Sequence, residues 1–174
     1  METKLMVSLA ATLLAAASLS GAPPASAAAG TPNEARALLQ EFVKPGADHA
    51  ALSAKLRPTK QDYDAVFTPQ AVAKLQAAYE PAWNQGVMVV KGKPGQTAVL
   101  VWSGTSEDIK AWRGAARDHF PGGYQKVGPY LKPGVTLYAF KFVVPGEALG
   151  MAFDGLVHVN GRWVLFPKPF RALE

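Results

Sequence analysis

A chain of 174 residues with no cysteine and a formal charge of +5 has room for one domain and must hold it together by its core alone. The lack of cysteine excludes disulfides, thiolate chemistry and cysteine-ligated metals. The basic residues stand singly, as at Lys44, Lys55, Arg57, Lys91, Lys126 and Lys141, and form none of the runs that mark a nucleic-acid-binding patch. No nucleic-acid partner is expected.

Lys4 precedes an apolar stretch from Leu5 to Leu19, which gives way to Gly21, Pro23 and Pro24 and then to Ala25-Ser26-Ala27. Small residues at positions 25 and 27 fit signal-peptidase cleavage near Ala27–Ala28, so residues 1–27 are read as a Sec-type signal peptide. The apolar stretch, at about 15 residues, falls short of the roughly 20 of a spanning helix. An uncleaved anchor and an N-terminal core helix are the competing readings. Residues 28–174 are expected to form a single α+β domain, periplasmic or extracellular, with no membrane span after cleavage.

The domain begins with helix signals. Thr31-Pro32-Asn33-Glu34 supplies a cap, a proline suited to the first helical position and a glutamate that reaches back to the cap. Leu38, Leu39, Phe42 and Val43 follow on one face, and Lys44-Pro45-Gly46 ends the helix. Asp48 caps a shorter helix that presents Leu52 and Leu56. Thr59 opens another with Tyr63, Val66 and Phe67. Thr68-Pro69 opens a longer one with Val72, Leu75, Tyr79 and Trp83, which Pro81 is expected to kink or end.

From Gly86 the pattern turns to strands. Val87–Lys91 and Thr97–Ser103 flank Gly92-Lys93-Pro94-Gly95 and predict a hairpin. A helix is predicted from Ser106, with Ile109 and Trp112 inward, and is taken to run to about residue 118. A loop at 120–134 follows, with room for one helical turn near Lys126. The strands Val135–Val144, Leu149–Val159 and Arg162–Phe166 complete about five, all antiparallel. The first of these three is apolar on both faces and should be covered on both.

Asn160-Gly161 is a two-residue hairpin turn, which sets the pairing Val159 to Arg162 and Val157 to Val164. Strict alternation then places Phe153, Val157, Val164 and Phe166 on one face and Asp154, Leu156 and His158 on the other. Four residues of strand span about 13 Å, so Asp154 and His158 are not a direct acid–base dyad, although they can line one pocket. Asp154, His158, Trp163 and Tyr138 are therefore the candidate ligand-binding residues. Neither His49 nor His119 lies at metal-ligand spacing from another histidine. No nucleophile elbow or phosphate loop occurs, and no metal or cofactor is expected.

Helices followed by an antiparallel sheet that closes in the hairpin from Phe153 to Leu165 resemble the cone-shaped fold of the nuclear-transport-factor-2-like superfamily. That resemblance implies helices packed on a curved sheet around an interior, in a superfamily that includes cyclases, isomerases, dehydratases and non-enzymatic binding domains. The first expectation is a non-enzymatic domain that binds a small apolar ligand or an envelope partner. A cyclase, isomerase or hydrolase with His158 as base is the second, and an assembly module, such as a homodimer, the third.

Overall fold

The computed structural model describes residues 30–173, so the expected signal peptide lies outside the described residues. Helices α1 (Pro32–Gln40), α2 (His49–Ala54), α3 (Lys60–Val66) and α4 (Pro69–Asn84) come first. Strand β1 (Ala98–Thr105) and the short helices α5 (Ser106–Ala111), α6 (Ala115–His119) and α7 (Tyr124–Val127) follow. Strands β2 (Thr136–Val143), β3 (Gly150–Val159) and β4 (Arg162–Leu165) complete an open antiparallel sheet of order β1-β2-β3-β4.

The helix starts obey local chemistry. Thr31 with Glu34, and Thr59 with Asp62, form reciprocal capping boxes, and Asp48 accepts the Ala51 N–H. Pro81 does not end α4, which runs on to Asn84. With one turn left, the missing N–H costs a single hydrogen bond, and the Gln85 N–H still closes the helix on the Pro81 carbonyl. The single helix expected from Ser106 is two. Trp112 and Gly114 both take positive φ, at 49° and 54°, and break it between α5 and α6. Its cap is Thr105, one residue earlier than expected.

Among the described residues the sheet has four strands, not about five. Val87–Lys91 forms no strand. Val90 is buried against the sheet, and its N–H donates to Ser53 Oγ at 2.9 Å instead of joining a ladder with β1. β1 pairs with β2 instead, placing Val101 opposite Phe140.

Helices cover both faces of the sheet. Leu137, Ala139, Val157, Val164 and Phe166 pack with Tyr63, Phe67, Leu75, Ile109, Tyr124 and Val127 from α3 onward. Tyr138, Phe140, Phe142, Leu156 and Leu165 pack with Ala35, Leu39 and Phe42 near the N-terminus, and with Leu56 and Val90. Each fully buried aromatic or aliphatic side chain contributes about 1.5–3 kcal/mol.

Candidate cleft at the edge of the sheet

The hairpin pairing is as the turn chemistry predicts: Val159 faces Arg162 and Val157 faces Val164, with Asn160 and Gly161 both at positive φ. One residue further in, alternation fails. Against β2, Tyr138 pairs with Leu156 and Ala139 with Asp154, so Gly155 is an extra residue in β3. Gly155 has φ 81°, and a Cβ there would run into the Phe166 carbonyl. The bulge turns the preceding half of β3 over. Phe153 joins Phe140 and Phe142, while Asp154 joins the face of Val157 and Phe166.

Asp154 is thus separated from His158, Trp163 and Tyr138, contrary to the shared face expected from strict alternation. The three aromatic residues pack together. Trp163 meets Tyr138 edge-on at 5.3 Å and His158 edge-on at 5.1 Å. The Tyr138 hydroxyl donates to the Gly30 carbonyl. Burial, and then the charge of Glu34, raise the pKa of that phenol. The His158 imidazole makes no hydrogen bond among the described residues and borders a hollow of about 360 Å³ with Gly30, Ala65 and Thr136. A general base needs a positioned, hydrogen-bonded partner, and among the described residues His158 has none, the Glu34 carboxylate interacting with it only through charge.

Asp154 lies on the floor of a different space, a cleft of about 450 Å³. One wall is the extended segment Val87–Val90. The other is Met151, Ala152 and Phe153 of β3, where β4 no longer runs beside it. Ala78 and Tyr79 of α4 border it, and Pro167, Lys168 and Arg171 edge it from the C-terminal segment. Most of this lining is apolar, as in small-molecule and peptide sites.

Asp154 is 4% exposed. Its Oδ1 accepts the Tyr124 hydroxyl and the Lys168 backbone N–H, both at 2.8 Å, and Lys168 holds a left-handed φ of 50° as it does so. Burial raises the carboxyl's pKa above its ordinary value. These two bonds and the charges of Lys168 and Arg171 oppose the rise without cancelling it. Burial likewise lifts the phenols of Tyr124 and Tyr79 well above theirs. Tyr79 donates to the Pro167 carbonyl at 2.9 Å, which fixes the segment that carries Lys168.

Of the sequence-derived candidates, the cleft includes Asp154 alone. Tyr79, Lys168, Arg171, Met88 and Met151 join it without having been singled out as a site. Pro167 and Pro169 read as a strand stop, and nothing in their spacing shows that the chain turns back over β3. Among the described residues no group of His, Asp and Glu is placed to hold a metal ion. No described helix is long and apolar enough to cross a membrane. Comparison with protein-family models, curated proteins and solved structures gives no match.

Proposed function

We propose that this is an exported, non-enzymatic binding domain whose site is the cleft between Val87–Val90 and the Met151–Asp154 edge of β3, and whose occupant is apolar. The observation that carries the reading is the cleft itself. It is an apolar-walled space of about 450 Å³ with a buried carboxyl on its floor and two cations at its border. Export is supported by the pattern of residues 1–27, and the nuclear-transport-factor-2-like kinship by four helices preceding a sheet that ends in a hairpin.

A second reading has one observation in its favour. A buried carboxyl of raised pKa in an apolar cleft is how enzymes prepare an acid–base group, so a cyclase, isomerase or hydrolase would use Asp154 in place of His158. Both neighbouring phenols are already committed as donors, Tyr124 to Asp154 and Tyr79 to Pro167. Among the described residues that leaves no second positioned acid or base at the carboxyl, and binding is the better-supported reading.

Met88 and Met151, two of the four methionines, line the cleft and report on it directly. With 13C-methyl methionine labelling, the amphiphilic anion 1-anilinonaphthalene-8-sulfonate, whose aromatic rings fit the apolar walls, should shift both methyl signals. Ala78→Trp, an exposed helix position bordering the cleft, should block the shift. Methyl signals that stay still at saturating probe would remove the assignment.

A further inference from the structure

Four large apolar side chains stand exposed among the described residues: Val87, Val89, Val144 and Leu149. Isolated exposed apolar residues are ordinary. These four gather at one end of the sheet. Val87 and Val89 face Met151 and Phe153 across the cleft, Leu149 precedes the first residue of β3, and Val144 follows the last of β2. Such grouping marks an interaction surface.

The backbone at that end is also incomplete. β3 has ten residues, but β4 pairs only with Leu156–Val159. β2 pairs along the inner side of β3 from Gly150 to Val157, and no backbone hydrogen bond from outside that ladder reaches residues 150–154 among the described residues. The pairing tells which groups point out. A two-residue turn makes Val159 and Arg162 a hydrogen-bonded pair, so Leu156 bonds inward to Tyr138. Continuing along β2 by twos, Phe153 and Met151 also bond inward, to Phe140 and Phe142. Ala152, which is exposed, therefore turns its N–H and C=O outward into the cleft. An open edge of this kind is a template for another strand.

Charge selects the occupant. Lys168, Arg171 and Lys93 stand around this edge, and none of them forms an ion pair among the described residues. A second copy of a chain with charge +5 would bring more positive charge to it.

We infer that the outer edge of β3 from Gly150 to Asp154 is a strand-addition site for an extended segment of an acidic partner protein, apolar at alternate positions, with carboxylates that meet Lys168 and Arg171. This rests on the cleft being a binding site. Main-chain bonds to Ala152 supply affinity, the walls of Val87, Val89 and Met151 take the apolar side chains, and the cations set the preference for acid.

The probe is a nine-residue N-acetylated peptide alternating valine and glutamate, added to the purified protein. It should shift the Met88 and Met151 methyl signals and slow hydrogen exchange at the Ala152 amide at least tenfold. The same peptide N-methylated at alternate amides should bind at least tenfold more weakly, as should the parent peptide to the Lys168→Glu, Arg171→Glu variant. Equal binding of the N-methylated peptide overturns strand addition. So does Ala152 protection that appears without peptide and tracks a concentration-dependent dimer mass in light scattering. If the naphthalene probe shifts the methionines and the peptide does not, the inference falls while the binding site stands. If neither shifts them, both fall.

Discussion

Tyr124 and Asp154 meet at 2.8 Å, phenol to carboxylate, across 30 residues of chain. The Lys168 N–H completes the contact on the same oxygen. A short helix, a sheet strand and the C-terminal segment are thereby closed over one buried carboxyl. The bulge at Gly155 is what aims that carboxyl into the cleft instead of toward His158.

The pH dependence of stability should carry the mark of Asp154. A carboxyl whose folded pKa is raised favours the folded state fully below its ordinary value of 3.8, and that contribution is lost as pH rises through the folded pKa. Asp154→Asn keeps an acceptor for Tyr124 and Lys168 and removes the titration. Its urea midpoint should therefore hold steady as pH rises above about 4, where the native protein declines. Tyr124→Phe should cost about 2 kcal/mol in the native protein and less in the Asp154→Asn background, since the bond it removes is then to a neutral acceptor. Parallel midpoint curves for native protein and Asp154→Asn would contradict the raised pKa.

Gly155→Ala tests the bulge. A Cβ would meet the Phe166 carbonyl on a backbone held at φ 81°, so strain and overpacking act together. A loss of about 3 kcal/mol or more is expected in chemical denaturation. A loss under about 0.5 kcal/mol would mean that β3 runs without the extra residue, with Asp154 back on the face of His158.

How much of this was legible follows from the range of each interaction. Thr31, Asp48 and Thr59 announce their helices because a cap is satisfied within three residues, and Asn160-Gly161 sets its pairing for the same reason. Gly155 sits in a run that alternates cleanly on either side, so strict alternation passes over it. Its need for a positive φ is dictated by β2 and Phe166, which are remote. Val87–Lys91 has the composition of a strand, but Ser53 on α2 takes its Val90 N–H. The cleft exists only because β4 stops early while Lys168 folds back; Pro167 and Pro169 signal the stop locally, but nothing local signals the fold-back.

The acid limb of stability belongs to Asp62. This carboxyl is buried, which alone would raise its pKa, but bonds from Thr59 and Asn160 and the charge of Arg162 outweigh burial and hold it below 3.8. Arg162 reaches it at 2.6 Å and also donates to the Lys55 and Arg57 carbonyls, tying the β3–β4 hairpin to α3 and to the segment between α2 and α3. A lowered folded pKa stabilises above 3.8 and is lost as pH falls through the folded value. Asp62→Asn should flatten that limb in acid titrations of the folded fraction. Arg162→Ala should cost about 2 kcal/mol at neutral pH, because it strips a buried charge of its cation. An acid limb unchanged in Asp62→Asn would assign it elsewhere.

Trp163→Ala separates the aromatic cluster from the cleft. Trp163 packs edge-on against both Tyr138 and His158, and its removal leaves a cavity beside Tyr138, for a loss of about 3 kcal/mol. Its ring lies on the N-terminal-helix side of the sheet with Leu165 and Tyr138, whereas Asp154 faces the α3 side with Val157 and Phe166. A folded Trp163→Ala protein should therefore bind the naphthalene probe at the Met88 and Met151 methyl groups with native affinity, while Ala78→Trp does not. Binding lost in folded Trp163→Ala and kept in Ala78→Trp would move the site to the face of Tyr138 and His158.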